Sequence, residues 1–329
     1  MPTREGTVLL GVAASFFLLA TNVMAGLLFV LDAVVLGVLV TGAAGAVAAT
    51  RRVHVRRRVP RRGVEGMPLP VRLDVEARRR ARFVVVEDGW PGARCAALVP
   101  DVEPGRPAVV TLAPVPARRG QYWLGPLVVR SRGPFGLFAA RRRADAFACV
   151  LVWPAWRPLP PEVTERLTPV LETAARAART RQVEEFHSVR DYRPGDSLAH
   201  VHWRSSVRRG ALVVREFERP EAPGVAVVVD LDRGQPADVL DAVVRAAASL
   251  FRAALDARVD VVLMAWADAP VIHRSWEDAM DWLAVVQPQG PPLPEALARL
   301  RGATDRHLVV VTAAGSGPWP AGCTWVRPW

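Results

Sequence analysis

The sequence predicts a three-part chain: two N-terminal transmembrane helices, a β-sandwich-like region and a C-terminal α/β domain. Three observations predict it. The first fifty positions carry only Arg4, Glu5 and Asp32 as charges, although 23% of the whole chain is charged. Residues 51–158 are short Val-rich runs broken by Pro and Gly, the pattern of an antiparallel sandwich. Residues 220–329 alternate continuous apolar runs with amphipathic stretches, as a parallel sheet covered by helices requires. At 329 residues the chain exceeds what one compact core organises, so several domains are expected.

Composition narrows the function classes. The chain contains no lysine, so all 43 basic side chains are arginine, and the formal net charge is +11. Together with abundant Ala, Val, Pro and Gly, this is the bias of GC-rich coding, and it argues little for nucleic-acid binding. No nucleic-acid partner is expected. Cys95, Cys149 and Cys323 lie far apart without CxxC spacing. They make neither a disulfide framework nor a zinc site, and reduced thiols fit a cytoplasmic location.

The apolar segment, residues 1–50, runs from Gly6 to Ala49 and is too long for one membrane helix, since about 20 apolar residues cross the hydrocarbon core. A helical hairpin follows. Its turn falls either at Thr21-Asn22, which buries Asp32 in the second helix, or at Asp32, which leaves that carboxylate among the headgroups. A secretory signal peptide is the competing reading. It lacks a basic n-region beyond Arg4 and a small-residue cleavage site followed by a polar chain. Arginines cluster after the hairpin at Arg51, Arg52, Arg56, Arg57, Arg58, Arg61 and Arg62. Such a patch could contact anionic lipid or nucleic acid. The simpler reading is a topology signal holding both ends of the hairpin in the cytoplasm.

Within 51–158, strands are expected at Val71–Val75, Arg82–Val86, Ala108–Leu112, Tyr122–Val129 and Ala148–Trp153. Glu87-Asp88-Gly89 and Pro104-Gly105 read as turns. The run Gly133-Pro134-Phe135-Gly136-Leu137-Phe138 reads as a tight turn with Phe135 and Phe138 plugging a core.

Residues 159–219 hold a helix from Glu162 to about Arg181 and a dense polar motif. The motif runs through Glu185-Phe186-His187-Ser188-Val189-Arg190-Asp191-Tyr192-Arg193-Pro194-Gly195-Asp196. It continues in His200-Val201-His202-Trp203-Arg204 and Leu212-Val213-Val214-Arg215-Glu216. Pro194-Gly195-Asp196 is a turn, and Val201 and Trp203 alternate with polar residues as in a half-buried strand, with Trp203 in the core. Arg190, Asp191, Arg193 and Asp196 can pair with Arg204, Arg208, Arg215 and Glu216. That charge set either organises the fold or forms a partner-binding surface, with Arg190, Arg193, Asp196, Arg208 and Arg215 as its candidates. Tyr192 and Gly195 are structural members. His200 and His202 share one side of such a strand, but no third metal ligand lies nearby.

In 220–329, Val225–Val229 ending at Asp230 is a buried parallel strand. Next come a helix over 237–257, a strand over 259–266, helices over 276–286 and 293–301, and a strand over 307–312. A last strand includes Trp325.

The central motif, with Arg118-Arg119-Gly120 and the Gly-Pro-Phe-Gly-Leu-Phe run, resembles the DUF-fifty-eight family (domain of unknown function fifty-eight). The resemblance extends over essentially the whole chain in one order; Ala199 departs from it, standing where the family has a basic residue. It implies a von Willebrand type A-like C-terminal domain and work beside MoxR-type AAA+ ATPases at the bacterial inner membrane. In such a domain the first strand ends in a metal motif of Asp-x-Ser-x-Ser type. Asp230 matches its first position, but Asp232 and Gly234 replace the serines and Thr312-Ala313 the later Thr-Asp, so the oxygen shell is incomplete. No cofactor is expected, and Asp230 and Asp232 remain only weak metal candidates. No nucleophile, base and orienter set is recognisable. The expected function is a membrane-anchored, non-enzymatic adaptor. A Mg²⁺-dependent ligand-binding domain is the first alternative, and a hydrolase or nuclease using the His200/His202 region is the second.

Overall fold

The computed structural model describes residues 1–23, 26–91, 93–182, 188–193, 201–216, 224–314 and 323–329. The chain divides into two compact units, Met1–Trp153 and Pro154–Trp329.

The first unit opens with two apolar helices, α1 (Arg4–Val23) and α2 (Gly26–Arg52). Both are long and apolar enough to cross a membrane. Thr21 and Asn22 lie in the last turn of α1, and α2 runs through Asp32, so the hairpin does not turn at Asp32. Asp32 lies within α2, only 3% exposed, with its Oδ1 unpaired among the described residues. Phe17 and Phe29 meet edge to face across the hairpin, centroids 6.4 Å apart.

A β-sandwich-like unit follows. Its strands are β1 (Val53–Arg58), β2 (Arg62–Val64), β3 (Val71–Ala77), β4 (Ala81–Trp90) and β5 (Ala93–Val102). Then come β6 (Ala108–Leu112), β7 (Gly120–Leu124), β8 (Leu127–Ser131), β9 (Ala140–Ala144) and β10 (Ala148–Trp153). They form three sheets with strand orders β1-β3-β6, β2-β10-β7 and β5-β4-β8-β9. The inward residues are those that alternation selects, such as Val71, Leu73 and Val75 on β3 and Val84 and Val86 on β4, and all belong to one core cluster. Tyr122–Val129, expected as one strand, is two in different sheets, because Gly125-Pro126 breaks the ladder where Pro supplies no N–H.

Glu87-Asp88-Gly89 is not a turn. It continues β4 opposite Ala96, Cys95 and Arg94 of β5, and Asp88 is fully buried. Arg57 of β1 reaches it, Nη2 to Oδ1 at 2.5 Å, and also donates to the carbonyls of Gly125 (3.1 Å) and Ala146 (2.7 Å). Burial pushes the Asp88 carboxyl upward, while the adjacent Arg57 guanidinium opposes that shift.

The Gly133–Phe138 run is not a core plug either, since Phe135 is 54% exposed and Phe138 half-buried. The sandwich core is filled by β-branched strand residues, and the loop packs on the α1–α2 hairpin instead. Phe135 and Phe138 rings line up at Gly42 of α2, and the Thr3 N–H donates to the Leu137 carbonyl at 2.9 Å. A Cβ at Gly6 would collide with that same carbonyl. Gly133, at φ +68°, would place one 2.9 Å from the Gly42 carbonyl oxygen. Arg142 of β9 completes the joint. It donates to the carbonyls of Thr50 (2.9 Å) and Val53, satisfying the open end of α2. Both ends of the hairpin therefore lie against the sandwich.

The second unit begins with α3 (Pro161–Gln182), started by Pro at its first position. A two-stranded ribbon follows, β11 (Ser188–Asp191) with β12 (Val213–Glu216), and between them lies α4 (Trp203–Arg209). The remainder is β13 (Val225–Val229), α5 (Ala237–Asp256), β14 (Val261–Trp266), β15 (Pro270–His273) and α6 (Trp276–Val285). It closes with α7 (Leu293–Arg301), β16 (His307–Val311) and β17 (Cys323–Val326). The sheet order is β15-β14-β13-β16-β17, parallel except for the edge strand β15. Every residue of β13 is buried, as expected for a strand covered on both faces. Leu293, Leu297 and Leu300 of α7 pack on Ala226, Val228, Val262 and Met264.

Candidate functional site

Two places in the second unit carry the chemistry singled out in the sequence. The first is the central motif. The β11–β12 register sets Arg190 opposite Val214 and Arg215 opposite Val189, so the two arginines occupy neighbouring rungs rather than one facing pair. Asp191 and Arg193 are exposed, and Tyr192 is half-buried with its N–H donating to the Leu212 carbonyl at 2.8 Å. His200, Gly195 and Asp196 lie outside the described residues.

Trp203 is not a core strand residue. The chain turns helical there, and a helix advances about 100° per residue rather than the 180° of a strand. The expected alternation with Val201 therefore fails, and Trp203 is 61% exposed. Val201 and Val213 fill the core in its place. Ser206 ties the helix to the ribbon: its hydroxyl donates to the His202 carbonyl (3.0 Å) and accepts from the Val213 N–H (2.9 Å).

His202 is likewise not on a strand. It caps α4, its Nδ1 accepting from the Ser205 N–H at 3.3 Å and lying 2.7 Å from the Ser205 hydroxyl. That commitment occupies Nδ1. Left outward on α4 are Trp203, Arg204, Val207, Arg208 and Arg209, with Val207 82% exposed. Trp203 and Val207 are four apart and share one face.

The second place is the end of β13. Reading the strands of the α/β sheet in chain order, the sequence across it is 3-2-1-4-5, which reverses between β13 and β16. In open α/β sheets ligands bind outside the carboxyl ends of the strands at that reversal. Asp230 and Thr312 sit there, one at the end of each strand. The Thr312 hydroxyl donates to Asp230 Oδ2 at 2.6 Å, and Oδ1 accepts from the Asp232 N–H at 3.1 Å. Asp232 Oδ1 accepts from the Gly234 N–H at 2.8 Å. Burial pushes the Asp230 carboxyl upward, against the Thr312 and Asp232 hydrogen bonds.

A hard divalent cation needs six or more oxygens with free lone pairs directed at it. Here both Asp230 oxygens are engaged, Gly234 and Ala313 add no side-chain oxygen, and no group of three His, Cys, Asp or Glu converges among the described residues. The described residues do not supply such an oxygen shell. Beside them, a cleft of about 430 Å³ is lined by Asp232, Arg233, Asp268, Gly290, Pro292 and Arg299. Sequence reasoning missed Arg57–Asp88 and Arg142. An arginine in a cluster and an Asp before Gly carried no sign of burial.

No family model matches the chain. Among curated proteins it is similar to "Uncharacterized protein YeaD" of Bacillus subtilis (strain 168), 26% identical over 144 residues, 44% of this chain and 35% of that protein. The chain thus spans about a third of the length of the relative it matches. Among solved structures it is similar to the CARDB domain of PF1109 from Pyrococcus furiosus. That likeness covers 31% of this chain and 94% of the domain at 13% identity, and its TM-score of 0.23 carries no argument about fold.

Proposed function

We propose that the chain is a membrane-anchored protein-interaction module of the bacterial inner membrane, non-enzymatic, with both hairpin ends and all later residues in the cytoplasm. Its partner is a MoxR-type AAA+ ATPase, and its C-terminal unit is a von Willebrand type A-like domain whose metal chemistry has lapsed. The observation that carries the reading is the outer face of α4. Trp203 and Val207 are exposed among Arg204, Arg208 and Arg209. Tryptophan and arginine are the side chains that dominate protein–protein contacts. An exposed apolar pair ringed by charge suits docking better than catalysis.

The 3-2-1-4-5 sheet with Asp230 and Thr312 at its reversal supports the domain reading. The paired ends of the hairpin, one at Thr3 and the other at Arg52, support a two-pass topology. A cytoplasmic reporter fused after Trp329 should be active and a periplasmic one inactive. Capture from native membranes should recover the ATPase at low salt and less of it at high salt, where exposed charges are screened. Trp203→Ala/Arg208→Ala should lose most of that capture while melting like the wild type. Recovery of no ATPase by the wild type at either salt concentration would sink the adaptor reading.

A further inference from the structure

We infer that the membrane-facing edge of the sandwich holds the headgroup of an anionic phospholipid, in a groove between the last turns of α2 and the β3–β4 turn. The inference rests on the hairpin crossing a bilayer. The groove is about 760 Å³. One half is lined by small apolar side chains of α2 (Ala43, Ala44, Val47 and Ala48), the other by Arg51, Arg52, Arg78 and Arg79.

Helix length sets the depth of each half. α2 has 27 residues, about 40 Å at 1.5 Å per residue, against about 30 Å of hydrocarbon. Counted from Gly26, roughly 20 residues reach Gly45, so the alanine half straddles the hydrocarbon edge. Arg51 and Arg52 lie about 9–10 Å farther along the axis, at the level of the headgroup phosphates. The β3–β4 turn brings Arg78 and Arg79 to the same level, held there by the Arg78 N–H donating to the Arg52 carbonyl at 3.1 Å.

Charge pairing separates these four from several of their neighbours. Neighbouring Arg57, Arg58, Arg72 and Arg80 are each in an ion pair, with Asp88, Asp74, Asp74 and Asp101. Arg51, Arg52, Arg78 and Arg79 have no carboxylate partner among the described residues. Four unneutralised guanidiniums around one groove repel one another, and a phosphodiester offers the acceptor geometry that guanidinium prefers. Phe135, exposed beside Gly42 at the depth of the apolar half, is the side chain expected where acyl chains begin.

The test uses the full chain. Membranes are first washed with alkaline carbonate. Retention in the pellet is expected, and release would overturn both the membrane reading and this inference. The chain is then purified in detergent with equal phosphatidylglycerol and phosphatidylcholine, and retained lipids are counted by native mass spectrometry. Wild type should keep phosphatidylglycerol over phosphatidylcholine by about tenfold or more, because each arginine near an anionic surface contributes of order fivefold. The quadruple variant Arg51→Gln/Arg52→Gln/Arg78→Gln/Arg79→Gln, with an unchanged melting curve, should keep both lipids equally. Arg204→Gln/Arg208→Gln/Arg209→Gln, which also removes positive charge, should behave as wild type. Carbonate-resistant protein that keeps both lipids equally would overturn the headgroup site alone, as would an undiminished preference in the quadruple variant. Displacement of the lipid by an acidic peptide at equal charge concentration would assign the groove to protein instead.

Discussion

Asp88 in the sandwich and Asp230 in the α/β sheet are both buried carboxylates, and burial pushes both upward. Their neighbours differ. Asp88 faces a full positive charge, the Arg57 guanidinium, whose side chain is itself 1% exposed. Asp230 is held by neutral donors, a hydroxyl and a backbone N–H, with the Asp232 carboxylate nearby as a like charge. A charge pair in a low-dielectric site is costly to assemble and far costlier to break, because the survivor has no solvent to turn to. A carboxyl held by neutral dipoles can take up a proton and keep its place. The first arrangement locks strands together, whereas the second leaves a titratable group buried at the end of a strand.

The largest effect should come from breaking the pair. Asp88→Ala should cost about 3–5 kcal/mol by leaving Arg57 buried and alone, read as a lower urea midpoint and reduced yield. Arg57→Met/Asp88→Leu should recover most of that loss, since an apolar pair of similar size removes both desolvation costs. A double variant as unstable as the single one would mean that Arg57 acts through the Gly125 and Ala146 carbonyls instead.

Asp230→Asn should cost about 1 kcal/mol near neutral pH, because the amide oxygen still accepts one of the two hydrogen bonds. The sign of its pH dependence follows from the raised carboxyl. With the folded value above the unfolded one, the contribution of Asp230 is complete below the unfolded pKa and drains as pH rises through the folded value. Wild type should therefore lose stability relative to Asp230→Asn as pH rises above the ordinary aspartate value of about 4. A constant difference above that value would show that Asp230 is as ionised in the fold as in the unfolded chain.

Trp203→Ala should change stability by less than about 0.5 kcal/mol, as an exposed residue does, while Val213→Ala at the core of the same motif should cost several times more. Equal losses would return Trp203 to the interior. Mg²⁺ at millimolar concentration should leave the melting temperature unchanged, where a site filled at 100 times its Kd would add about 2.7 kcal/mol. An upward shift abolished by Asp230→Ala would restore a metal to the crevice.

Several elements were legible because one period governs them. Val71–Val75 alternates apolar with polar side chains and lies in β3, the short Val-bearing runs Ala108–Leu112 and Ala148–Trp153 are strands at those bounds, and the all-apolar Val225–Val229 is a central strand. The α/β crevice was legible at Asp230, which ends that strand. What failed depends on tertiary partners. Glu87-Asp88-Gly89 has the composition of a turn, and only Arg57, 31 positions away, makes it tolerable inside a strand. The Phe135–Phe138 loop looks like core filler until α2 lies against it. Trp203 follows Val201 at strand spacing, but the His202 cap starts a helix between them. The seven-arginine cluster was read as one unit of charge, yet its members separate. Arg57 is interior, Arg58 pairs with Asp74, Arg62 stacks 5.1 Å from the Trp153 ring, and Arg51 and Arg52 line the groove.

The joint between hairpin and sandwich has a practical side. Trimming the chain at residue 53 to obtain a water-soluble fragment would remove more than grease. It would strip the helix from beneath Leu137 and Phe138, take the Thr50 carbonyl from Arg142, and leave Phe135 with a wet, apolar neighbour surface on which copies can stick. The hairpin works as a bracket rather than a leash. A fragment cut there should pellet from buffers in which the sandwich with α2 retained, carrying a few polar substitutions on its exposed side, stays in solution.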